Sequence, residues 1–139
     1  MDKKRLEAYR SNKAEIEELK LRLAGLASDE GLVGNSVIMD YRTGYPRPQT
    51  VVGFDYDLYE KRKARWAKRL AQLQKEVNEV EEWIEAIPDG MTRRCFRMVY
   101  IDGLTQQQAA KCVNLDRSRV SRKMDEYLKN AHKAQKAQV

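Results

Sequence analysis

Arg117, Ser118, Ser121 and Arg122 recur at the one-, three- and four-residue spacings that gather side chains on one face of a helix. A guanidinium presents a planar fork of donors, so Arg117 and Arg122 suit a guanine edge or a phosphate, with the two serine hydroxyls assisting. Arg119 adds a third cation to the same stretch. Upstream, Arg93, Arg94 and Arg97 form a basic strip on an expected helix, placed to reach phosphates as a helix crosses a nucleic-acid backbone. Catalysis has no comparable support. No nucleophile sits with a base, no His, Cys and carboxylate set has metal-ligand spacing, and no Gly-rich loop follows a strand. Neither an enzyme nor a cofactor is expected. His132 reads as a solvated tail residue, and Cys95 and Cys112 read as buried thiols in a reducing cytosol.

The arginines need a scaffold, and Leu104–Leu128 describes one. Thr105 with Gln108 three residues later is a capping-box pattern that opens a short helix. Ala109, Ala110 and Val113 give that helix an apolar face, with Ala110 small enough for a second helix to cross closely. Asn114 falls where the chain must reverse and tolerates a left-handed conformation. Leu115 plugs the corner and Asp116 stands at the N-cap of the next helix. In that helix Val120, Met124, Tyr127 and Leu128 form one face, and the arginines and serines form another. The pattern is a helix-turn-helix with a polar recognition face free for a major groove. The plainer alternative is a three-helix bundle that packs against a protein.

Charge is placed unevenly. Residues 91–139 hold eleven Lys/Arg against four Asp/Glu, whereas residues 1–90 hold sixteen against seventeen, although the whole chain carries +6. The basic excess therefore coincides with the motif, as a nucleic-acid-binding module requires. With 139 residues and 35% charged side chains, the chain fits one domain, or a small domain with a helical extension. No apolar run is long enough to span a bilayer, and no apolar signal core follows the basic start. A cytoplasmic location is expected.

Ahead of the motif, residues 2–26 read as a helix with Leu6, Tyr9, Ile16, Leu19, Leu23 and Leu26 on its stripe, ended by Gly25, Ser28 and Asp29. Residues 27–54 read as an irregular connector, because five of the seven glycines and two of the three prolines lie between Gly25 and Gly53. Val37-Ile38-Met39 and Thr50-Val51-Val52 could pair as a hairpin, but Pro46 and Pro48 argue against it. Arg42, Tyr45 and Arg47 in this stretch are weaker candidates for touching nucleic acid or a partner. From Asp57 a helix is expected to about Ile87, with Trp66, Leu70, Leu73, Val77, Val80, Ile84 and Ile87 at alternating four- and three-residue steps. Such a seam must be buried, either by the first helix or by a second copy of the chain. Trp66 and Trp83 are read as packing residues. Pro88-Asp89-Gly90 breaks the rod and opens a third helix, about Met91–Asp102, packed through Cys95, Phe96, Val99 and Tyr100 and ended by Gly103. The tail after Asn130 has no core face and is expected to fray. The fold class is thus all-α: a long antiparallel helical hairpin, or coiled coil, over 1–87, followed by a trihelical helix-turn-helix unit over 88–139.

Met91-Thr92-Arg93, Tyr100-Ile101-Asp102-Gly103-Leu104-Thr105, Ala109-Ala110 and Asp116-Arg117-Ser118-Arg119-Val120 together resemble region 4 of sigma-70-type factors. The whole layout is similar to phage and prophage transcriptional regulators of the RinA/ArpU-like group. That resemblance implies Arg117, Ser118, Ser121 and Arg122 as base-facing positions and Thr105 and Gln106 as residues near the DNA backbone. Lys123 departs from the family pattern, which has an apolar residue there, so Met124 is expected to take over the packing. The expectation is a bacteriophage-type DNA-binding transcriptional regulator, acting on double-stranded promoter or operator DNA as a homodimer or higher oligomer. Its alternatives are a factor that binds RNA polymerase or another host protein, and a small-terminase-like DNA-packaging adaptor.

Overall fold

A computed structural model describes residues 1–26, 33–40 and 47–137, with side chains over 1–26 and 55–134. The chain is predominantly helical. In order it forms α1 (Lys3–Ala24), β1 (Val33–Asp40), β2 (Arg47–Phe54), α2 (Tyr56–Glu85), α3 (Gly90–Phe96), a π-helical turn (Arg97–Ile101), α4 (Gln106–Val113) and α5 (Arg117–Ala137). Two compact units result: Met1–Ile16 with Gln72–Val139, and Glu17–Ala71.

The unit of Glu17–Ala71 departs from expectation in one place. The stretch read as an irregular connector carries an antiparallel hairpin instead, from Val33 opposite Phe54 to Asp40 opposite Arg47. Val37, Ile38, Val51 and Val52 supply the β-branched side chains that favour extended backbone. Pro48 is tolerated because it pairs with Met39, one step from the end of the ladder, where a missing donor costs least. Pro46, Arg42, Tyr45, Ser28 and Asp29 lie outside the described residues. In the same unit Leu19 and Leu26 are buried, Trp66 and Leu70 are half-buried, and the Arg22 guanidinium lies 5.8 Å from the centre of the Trp66 ring.

In the other unit the seam of α2 is filled by the chain itself. Leu73, Val77, Val80, Ile84 and Ile87 are buried, as are Leu6, Tyr9 and Ile16 on α1. Polar pairs flank this core: Arg5 bonds Glu79, and the Asn12 amide donates to Glu76 at 3.3 Å. The Tyr9 hydroxyl donates to Glu81 and accepts from the Lys13 ammonium at 3.2 Å. Burial, then the bond to the Glu81 carboxylate, pushes the Tyr9 phenol above its ordinary pKa.

The expected third helix is two pieces. α3 starts at the N-cap Asp89, whose carboxylate accepts from the Thr92 backbone N–H at 3.1 Å and from its hydroxyl at 2.6 Å. After Phe96 the ladder widens into the π turn, where the Asp102 N–H reaches the Arg97 carbonyl at 3.0 Å. Gly103, at φ +78°, ends it in the left-handed conformation, and the Leu104 N–H closes onto the Met98 carbonyl at 2.9 Å. The Arg10 guanidinium also lies against Gly103: a Cβ there would fall 2.2 Å from one guanidinium nitrogen, a contact the flexible arginine relieves by shifting, so it is the positive φ that calls for glycine.

An aromatic cluster fixes the remaining helices. Phe96 is fully buried and stacks on Tyr100 at 5.8 Å, while Trp83 meets Phe96 and Tyr127 edge-on, each at 5.3 Å. These contacts join the end of α2, α3, the π turn and α5.

Candidate nucleic-acid interface

The interface begins with the geometry that aims α5. The Thr105 hydroxyl accepts from the Gln108 N–H at 3.1 Å, and the Gln108 side chain accepts from the Thr105 N–H at 3.0 Å. This reciprocal pair starts α4 where the sequence places it. At the far end Asn114 takes φ 57° and ψ 41°. Its N–H bonds the Lys111 carbonyl at 3.4 Å, and the Leu115 N–H bonds the Ala110 carbonyl at 3.0 Å. The two bonds form a Schellman closure, with Leu115 folded back toward Ala110. Two residues later α5 begins, and the Asp116 carbonyl accepts its first bond from the Val120 N–H at 3.1 Å.

Phase on α5 follows from what is buried. Val120 is fully buried and Met124 is 2% exposed, so these two face the core formed with Ala109, Ala110 and Val113 of α4. Arg117, Ser118 and Arg122 are exposed and Ser121 is half-buried. At 100° per residue, Arg122 and Ser118 point about 160° and 120° away from Met124, whereas Arg117, in the first turn, lies about 20° from it and Ser121 about 60°. Lys123 does not pack as an apolar residue would. Its ammonium lies 3.6 Å from the Asp89 carboxylate, which links α5 to the N-cap of α3. The Asp89 pKa is held below the ordinary carboxylate value, first by the hydroxyl and N–H of Thr92 and then by this cation.

The residues expected to act together are only partly together. Thr105, Gln106 and Arg117, joined by Gln107, line one open groove of about 290 Å³ where α4 and α5 both begin. Arg117 and Ser121, and likewise Ser118 and Arg122, are one turn apart on the exposed face of α5. Arg119 is exposed but points about 200° around the helix from Arg117 at 100° per residue, away from the face centred on Ser121 and Ser118. Arg94 is exposed on α3. Arg93 is half-buried, and its guanidinium donates to the Ile87 carbonyl at 2.9 Å, closing the end of α2 rather than projecting to solvent. None of Arg94, Arg117, Arg119 and Arg122 has an ion pair with another described residue.

Gln107 lines the groove and Lys123 reaches the Asp89 carboxylate, roles that the residue pattern did not single out. Gln107 follows the capping threonine without a periodic role, and Lys123 only marks a departure from the sigma-like pattern. The thiols divide against expectation. Cys95 is buried, and desolvation raises its pKa, but Cys112 is exposed on α4 because Ala109, Ala110 and Val113 already fill that helix's inner face. Among the described residues no group of His, Cys, Asp and Glu could hold a metal ion, and no helix is long and apolar enough to cross a membrane. Comparison with known proteins adds no relative: no family model, no curated protein and no solved structure matches the chain.

Proposed function

We propose that the chain is a phage-type DNA-binding transcriptional regulator, with α4, the Asn114 turn and α5 acting as a helix-turn-helix. The observation that carries this reading is the exposed Arg117, Ser118 and Arg122, with Ser121 half-buried among them, on a helix held in place by the buried Val120 and Met124. In this reading the start of α5 enters the major groove. There Arg117 and Arg122 take guanine O6/N7 edges, and the serine hydroxyls bond neighbouring base edges. Thr105, Gln106 and Gln107 sit beside Arg117 in the groove at the start of α4, suited to a phosphate at the rim. Arg94 reaches the backbone from α3. The resemblance of residues 88–128 to sigma-70 region 4, and of the layout to RinA/ArpU-like regulators, supports the same assignment, as does the basic excess after residue 90. On this view α1 and α2 form an antiparallel hairpin that carries the trihelical unit, and the protein works on double-stranded DNA in a bacterial cytoplasm.

A bidentate arginine–guanine pair discriminates by about 1–3 kcal/mol, so one such helix reads few base pairs. A homodimer on two half-sites supplies the rest. The α2 seam from Leu73 to Ile87 is already filled within one chain, so contacts between copies belong elsewhere.

Fluorescence anisotropy tests the assignment, using duplex from upstream of the protein's own gene, a random duplex, and the Arg117→Ala/Arg122→Ala variant. Tighter binding of the upstream duplex, with the preference lost in the variant, is expected. Equal weak binding of both duplexes by both proteins overturns the reading and leaves a factor that captures RNA polymerase or another protein.

A further inference from the structure

α5 is 21 residues long, far more than base reading needs, and its helical backbone continues past Asn130 to Ala137. Its second half is basic. Lys129, His132 and Lys133 are exposed, and together with Lys3 of α1 they line an open groove of about 440 Å³ beside the half-buried Leu128. Asp2 also lines it, but its carboxylate accepts the Arg5 backbone N–H at 2.9 Å and so serves as a cap for α1.

The position of this groove relative to Arg117 and Arg122 follows from helix geometry. At 100° per residue, Lys129 and Lys133 fall about 120° and 160° from Arg117, on or close to the arc of about 140° between Arg117 and Arg122. At 1.5 Å per residue they lie about 10 Å and 16 Å beyond Arg122 along the axis. The major groove is about 12 Å wide, so a helix whose first two turns occupy it carries these lysines to its phosphate rim. Asp125, exposed on the same stripe, separates the two sets. The helix macrodipole accounts for a cation in the last turn of α5, but Lys129 and Lys133 precede that turn.

We infer that Lys129 and Lys133, with Lys3 across the groove, form a second nucleic-acid contact surface. It takes the phosphodiester backbone flanking the bases read by Arg117 and Arg122. This rests on the assignment of α5 to the major groove. The surface contributes affinity without sequence preference, through counterion release at about 0.9 in the logarithmic salt slope for each phosphate neutralised.

The test is anisotropy across a salt series with the preferred and the random duplex. It compares wild type, Lys129→Ala/Lys133→Ala, the same variant with Lys3→Ala, and Lys68→Ala as a charge control on α2. Helicity and melting temperature measured alongside show that the exposed substitutions leave the fold intact. The expected result is a slope shallower by about 1.8 for the double variant and by about 2.7 with Lys3→Ala, from the same per-phosphate slope. Affinity should fall equally on both duplexes, the ratio between duplexes should be unchanged, and the single control should not lose slope. A double variant with the wild-type slope, while wild type still prefers one duplex, overturns this inference and leaves the regulator reading standing. Equal slope loss in Lys68→Ala also overturns it, because net charge rather than position would then be responsible. Wild type that binds neither duplex overturns both.

Discussion

Asp89 shows how much one exposed carboxylate organises. It caps α3 through Thr92 and holds the Lys123 ammonium of α5, so it ties α5 to α3. Its pKa is lowered in the fold, chiefly by Thr92 and then by Lys123, which fixes the sign of its effect on stability. The contribution is fully present above the unfolded carboxylate value and is lost as pH falls through the lower folded value. Asn caps a helix about as well as Asp but carries no charge. Chemical denaturation of wild type and Asp89→Asn at stepped pH should therefore show wild type the more stable at neutral pH, with the gap closing below about pH 4. A gap independent of pH would mean that the carboxylate charge is not what stabilises this joint. The Lys123 side of the joint was visible in sequence only as a departure from the sigma-like pattern, which has an apolar residue there. A cation at a packing position can be matched to its carboxylate only once the two helices are placed.

At the scale of elements, the turn between α4 and α5 was legible because each step uses local chemistry. Thr105 and Gln108 satisfy backbone groups three residues apart, and Asn114 is among the few residues that accept a positive φ. The left-handed conformation costs a β-branched residue about 1–2 kcal/mol and costs glycine nothing sterically. Equilibrium unfolding should therefore place Asn114→Val about 1–2 kcal/mol below wild type, with Asn114→Gly within about 1 kcal/mol of it. Equal losses in both would show that the Asn side chain, not the turn conformation, is what matters. The hairpin of β1 and β2 was harder to see. The glycines and prolines between Gly25 and Gly53 outweighed two short β-branched runs, and the cost of Pro48 depends on its place near the end of the ladder, which spacing along one strand does not reveal. The π turn was not legible at all, since one extra residue in a helix leaves no periodic mark. The persistence of α5 to Ala137 was missed because the tail has no apolar stripe of its own, although it continues a helix already anchored by Val120, Met124 and Tyr127.

For the molecule as a whole, the division of labour is one of charge and burial. The apolar seam of α2 is consumed inside one chain from Leu73 to Ile87, while the cations of α5 stay at the surface. The fully buried Phe96 holds Trp83, Tyr100 and Tyr127 around it, so the support and the exposed face form one packed unit. The proposed reading of guanines from the major groove is open to dimethyl sulfate footprinting of guanine N7, on a duplex selected from a random library by the full-length protein. Protection of a few guanines in each bound site is expected, with separate guanines losing protection in Arg117→Ala and in Arg122→Ala while flanking backbone contacts persist. Guanine N7 atoms that remain fully reactive in the bound complex, or protections identical in wild type and both variants, would contradict it.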